Sequence, residues 1–101
     1  MKLKLNKMFR ELRKQGFFAK QNFWCCQLCG WAVVPKDKRD AAFYHKQDAD
    51  DIPSGRVHLA WRGNGAAICK AAQAAGLVTN WDGTPGKRIE VLDLDVVKEA
   101  K

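Results

Sequence analysis

The chain has 101 residues, 47% of them apolar and 29% charged, with a formal net charge of +7 and a pI near 9.5. That length suits one hydrophobic core, and the apolar fraction excludes a disordered polymer, so a single domain over residues 1–101 is expected. No apolar run approaches the roughly 18–20 residues that cross a bilayer, and Lys2, Lys4 and Lys7 interrupt any signal-peptide core, so a cytoplasmic protein with no membrane partner is expected.

The charge is unevenly placed. Residues 1–20 hold seven basic side chains and one acidic one, Glu11, whereas the remainder holds eleven basic and ten acidic. Leu5, Met8, Phe9 and Leu12 recur at i, i+3, i+4 and i+7, which predicts a helix over about residues 4–15 with one apolar stripe. Lys4, Lys7, Arg10, Arg13 and Lys14 fall on its other arc, and Gly16 supplies the stop. Residues 1–15 thus read as a basic amphipathic leader. Its polar arc is either an ordinary solvated face or a surface for an acidic protein or nucleic acid.

Gly16 to Lys20 turns the chain into a short strand, which leads to Asn22-Phe23-Trp24-Cys25-Cys26-Gln27-Leu28-Cys29-Gly30-Trp31. Three of the four cysteines crowd into that stretch. Two thiolates at C-x-x-C spacing can converge on one tetrahedral ion, so Cys25, Cys26, Cys29 and His45 are candidate ligands for zinc. A second C-x-x-C is missing from the sequence, so this is half a site. A thiol-redox motif needs a helix after its C-x-x-C, and Pro35 leaves little more than a turn after Cys29. Buried reduced cysteines acting as small hydrophobes are the remaining reading. On that reading the stretch is a structural corner closed over His45 and Trp81.

Lys36 to Asp40 is a solvated loop, Ala41 to His45 a strand, and Gln47 to Asp51 an acidic loop. Arg56 to Arg62 alternates, with Val57, Leu59 and Trp61 on the buried face. Asn64 caps a second helix, Gly65 to Ala75, ended by Gly76. Leu77 to Trp81 and Lys87 to Asp93 form a hairpin around Asp82-Gly83. Residues 94–101 are a half-helix or a frayed tail. The order predicts an α+β domain with a mostly antiparallel sheet of about four strands, two helices packed on one face, and adjacent strands joined by short links. No catalytic motif stands out, and a non-enzymatic protein is expected. His45 with Asp48, and Cys69 with either histidine, make a nucleophile–base pair only if the fold joins them.

Four ordered motifs occur together. They are Gly16-Phe17-x-Ala19-x-Gln21-Asn22-Phe23-x-Cys25-Cys26-x-x-Cys29, Phe43-Tyr44-His45-x-Gln47-Asp48, Gly76-Leu77-x-x-x-Trp81-Asp82-Gly83 and Arg88-Ile89-x-Val91. With them, over roughly residues 10–92, the chain resembles an uncharacterised bacterial family known as a domain of unknown function. The resemblance implies no activity, cofactor or catalytic residue. It implies that Cys25, Cys26, Cys29, His45, Gln47, Asp48, Trp81 and Asp82 belong to one pattern. The basic leader and compact length depart from the family and suit a stand-alone, phage-encoded form that binds a host component. The expected function is therefore a small basic binding protein, with a zinc or thiol-redox module as the alternative.

Overall fold

The computed structural model describes residues 1–24, 27–84 and 87–99, without the side chains of residues 27, 28, 98 and 99. In chain order it runs α1 (Lys2–Lys14), β1 (Phe18–Lys20), α2 (Gln27–Val33), β2 (Ala41–Phe43), α3 (Lys46–Ala49), a 3-10 turn (Ile52–Ser54), β3 (Arg56–Arg62), α4 (Gly65–Ala74), β4 (Val78–Asn80), β5 (Ile89–Leu92) and α5 (Leu94–Glu99). The strands form one sheet in the order β1-β2-β3-β5-β4. Every pairing is antiparallel except β1 with β2. The domain is α+β, as the element order requires.

α1 forms where expected because its residues are mostly strong helix formers spaced at the helical period. Leu5, Met8, Phe9 and Leu12 are completely buried. Their burial contributes about 6–12 kcal/mol as an upper estimate, against about 0–1 kcal/mol for an exposed ion pair. The apolar stripe therefore decides how α1 docks. Ile68, Ala71 and Ala72 of α4 join the same core, and the small volume of the two alanines lets α4 sit close to α1 and the sheet. The sheet contributes Ala19, Ala42, Val57, Leu59, Ile89 and Val91 to this helical face.

Both long helices end in the same way. Gly16 and Gly76 have φ of +94° and +85°, a region that only glycine enters without cost. Phe17 N–H donates to Leu12 O at 3.0 Å, and Leu77 N–H donates to Ala72 O at 2.9 Å. These are two Schellman closures, each burying the next apolar residue, and each delivers the chain into an edge strand.

The sequence-based picture needs correction in the strand pairing, in the placement of the helices and around residues 41–51. A parallel pair cannot be joined by a hairpin; α2 supplies the crossover between β1 and β2. α2 packs on the reverse face of the sheet, where Trp31, Phe23 and Phe18 surround Phe43, so helices cover both faces. Among the described residues the sheet has five strands, close to the expected number, and there are five α-helices, three of them short. Ala41 to His45 does not run as one strand. β2 ends at Phe43, and α3 stands where an acidic loop was expected. Residues 94–99 form α5, a half-helix.

Candidate functional site

The six cations of α1 meet different fates. At about 100° per residue, Leu3, Lys7, Arg10 and Lys14 fall within an arc of about 60° directly opposite the core stripe. All four are exposed, Leu3 at 84%. Among the described residues, no carboxylate pairs with Lys7, Arg10 or Lys14. Lys4 lies on one flank, with Nζ 2.8 Å from Asp93 Oδ1 and 2.9 Å from Asp95 Oδ2. The Asp93 hydrogen bond, then that of Asp95, raises the Lys4 pKa. Arg13 lies on the other flank and donates to Ala19 O at 3.1 Å, covering the outer edge of β1. Lys2 donates to Tyr44 Oη at 2.9 Å and to Gln21 Oε1 at 2.8 Å.

Asp93 has a structural reason to be where it is. α1 carries no acidic residue in its first turn, although the helix dipole favours one there. Asp93, 2% exposed, supplies that charge from the end of β5 and also meets the Met1 ammonium at 3.3 Å. Burial acts to raise its carboxyl pKa. Lys4, the terminal ammonium and the Asp95 amide outweigh burial and hold it below the usual carboxylate range.

A second polar group lies on the reverse face. His45 caps α3: its Nδ1 accepts from Asp48 N–H at 3.3 Å, and its Nε2 is 3.1 Å from Asp48 Oδ2. Both ring nitrogens are thus engaged by Asp48, and the tautomer with hydrogen on Nε2 satisfies both contacts. Asp48, 7% exposed, also accepts from both terminal nitrogens of Arg88, which in turn donates to His58 O at 2.8 Å. Glu90, paired in register with His58 and Asn80, has its carboxylate 3.4 Å from His58 Nε2 and 3.2 Å from Asn80 Nδ2. The cluster closes mostly on itself: the Asp48 carboxylate and the His45 ring are filled by neighbours.

Phe23 and Trp24, which lead into the cysteines, are held by backbone bonds. Phe23 N–H donates to Tyr44 O at 2.8 Å, and Lys46 N–H donates to Trp24 O at 2.9 Å. Phe23 and Trp24 therefore sit beside His45. Trp81 packs on the helical face, T-shaped against Trp61 at 5.2 Å, whereas Phe23 packs with Phe43 on the reverse face. Cys29 is exposed on α2 and Cys69 half-buried on α4; Cys25 and Cys26 lie outside the described residues, and with them the core of the zinc and thiol readings. Among the described residues, no three His, Cys, Asp or Glu side chains are grouped to hold a metal ion, and no helix is long and apolar enough to cross a membrane.

Sequence reasoning missed the partners of Asp93 and Arg88. For α3 a signal existed: Asp48 stands three residues after His45, the spacing of a capping box, but with histidine in place of serine or threonine. For the Asp48–Arg88 pair, 40 residues apart, no local signal exists.

No curated protein and no solved structure matches the chain. The family described as "Domain of unknown function (DUF6891)" matches residues 2–99, and the chain belongs to that family.

Proposed function

We propose that this chain is a non-enzymatic binding protein that receives an acidic partner surface, of protein or nucleic acid, on the outer stripe of α1. The observation that carries this reading is the position of Lys7, Arg10 and Lys14. They stand together in solvent opposite the core face, and no described carboxylate neutralises them. Lys4 and Arg13, by contrast, serve the fold. A row of unneutralised cations attracts anions over about one Debye length, about 8 Å at physiological salt. The same reading sets the encounter in the cytoplasm, with the thiols reduced.

The test replaces Lys7, Arg10 and Lys14 together by glutamate. These side chains are exposed on the arc opposite the core stripe, so the variant is expected to melt like the parent. Capture of partners from a cell lysate, with and without nuclease and at low and high salt, is expected to disappear. Undiminished capture by the folded variant overturns the proposal.

A further inference from the structure

We infer that the occupant of this surface is an acidic α-helix of a partner protein, lying along α1; the inference rests on the binding reading above. Three features favour a helix over a nucleic acid backbone. The first is register. Lys14, Arg10, Lys7 and Leu3 follow one another at spacings of four, three and four residues. At about 1.5 Å per residue they form a line about 16 Å long. An antiparallel helix with carboxylates at j, j+4 and j+7 and an apolar residue at j+11 meets each member in turn, because those offsets also share one helix face.

The second feature is Leu3. It is 84% exposed and stands in the same line as the cations. A phosphate backbone has nothing to place against a leucine, whereas the apolar edge of an amphipathic helix does. The third is what surrounds the stripe. The flanking cations Lys2, Lys4 and Arg13 are already bonded within the chain. Phosphate contacts made by Lys7, Arg10 and Lys14 alone would give a log K against log salt slope of about −2.7, far below the slope of about −10 of an extensive phosphate contact. No aromatic residue of α1 reaches solvent to stack a base, since Phe9 is fully buried. Trp61 and Trp81 are half-buried with their rings packed on each other at 5.2 Å, and the exposed Trp24 lies outside α1, beyond β1. Beside α1, the outward residues of α4 are Ala66, Lys70, Gln73 and Ala74, small or uncharged except for one further cation. They leave room for a helix to lie along the ridge.

The experiment measures binding of the intact chain to four labelled probes at low salt. These are a stapled helical peptide with glutamates at j, j+4 and j+7 and leucine at j+11, a permuted peptide of identical composition whose acids are spread around the helix, a duplex DNA and a single-stranded RNA. The ordered peptide is expected to bind at least about tenfold more tightly than the permuted one. Leu3→Asp and the triple glutamate variant are each expected to weaken it by about tenfold or more while leaving the melting curve in place. Equal binding of the two peptides, or tighter binding of either nucleic acid, overturns the helix assignment and leaves the basic-stripe reading standing. The helix assignment also falls, and the basic stripe stands, if no probe binds while lysate capture still depends on the three cations. If no probe binds and capture is insensitive to the cations, both readings fall.

Discussion

The Lys4 ammonium lies 2.8 Å from the Asp93 carboxylate, joining residues 89 apart in the chain and fastening the first helix to the end of the last strand. Lys4 is held above its ordinary value of 10.5 and Asp93 below its ordinary value of 3.8. The stabilisation from Asp93 is therefore fully present above pH 3.8 and is lost as pH falls through the lowered folded-state value. That from Lys4 is fully present below pH 10.5 and is lost as pH rises through the raised one. Asp93→Asn is expected to cost about 1–3 kcal/mol at neutral pH, by weakening a buried acceptor of two ammonium groups. Urea denaturation at a series of pH values checks this: parent and variant should differ by a constant amount around neutrality and converge in acid.

Asp48 and Arg88 behave as one unit. Removing the carboxylate leaves a partly buried guanidinium without its counter-charge, and its Nε already lacks a partner among the described residues. Asp48→Ala is expected to cost about 3 kcal/mol, the low end for a buried pair because Arg88 remains 30% exposed. The double variant Asp48→Leu with Arg88→Met should recover most of that loss. A double-mutant cycle in urea gives the coupling directly, and a single-variant cost below about 1 kcal/mol would place the pair among ordinary surface ions.

Gly65 is the first residue of α4 and sits beneath two indoles. A Cβ there would lie 2.6 Å from Trp81 Cη2 and 2.9 Å from Trp61 Cη2. Neither ring can move without giving up its hydrogen bond, to Thr84 O or Lys87 O. Gly65→Ala is expected to destabilise by about 1–3 kcal/mol despite alanine's better helix propensity, because overpacking outweighs it. Tryptophan emission should shift in the folded state, since Trp61 and Trp81 must separate.

Tyr44 is fully buried on the helical face, edge-on to Phe9 at 5.8 Å, and its hydroxyl bonds to both Lys2 and Gln21. Tyr44→Phe keeps the ring and removes the hydroxyl, so the expected cost is about 1 kcal/mol. Thermal denaturation measures it. In a Lys2→Met background the loss should be smaller, because one of the two partners is already gone.

Much of the fold was legible because its signals are local. The i, i+3, i+4, i+7 stripe of α1, the alternation of Val57, Leu59 and Trp61, the Asn64 cap, whose side chain accepts from Ala67 N–H at 3.1 Å, and the glycines at 16 and 76 each act within a few residues of themselves. The hairpin loop was legible for the same reason. The Asp82 carboxylate accepts from the Thr84 amide at 2.8 Å; the Thr84 hydroxyl and amide and the Lys87 ammonium hold its pKa at about 2. The parallel β1–β2 pair and the placement of α2 on the reverse face were not legible. Pairing direction depends on where distant segments meet, and the short strands Phe18–Lys20 and Ala41–Phe43 carry no mark of it.

The basic helix shows where the division falls. Sequence alone determined that α1 would carry five candidate cations away from its apolar stripe, because the helical period sets the angle of each side chain. It also placed the chain in a family without an assigned activity. Which cations remain for a partner was decided by the tertiary structure. Lys4 is neutralised by residues 89 and 91 positions away, and Arg13 is drawn to the carbonyl of an edge strand, while Lys7, Arg10 and Lys14 point where the folded chain brings no carboxylate among the described residues. Neutralisation is an encounter between distant parts of the chain, and only the packing of α1 against β5 and β1 determines which encounters occur.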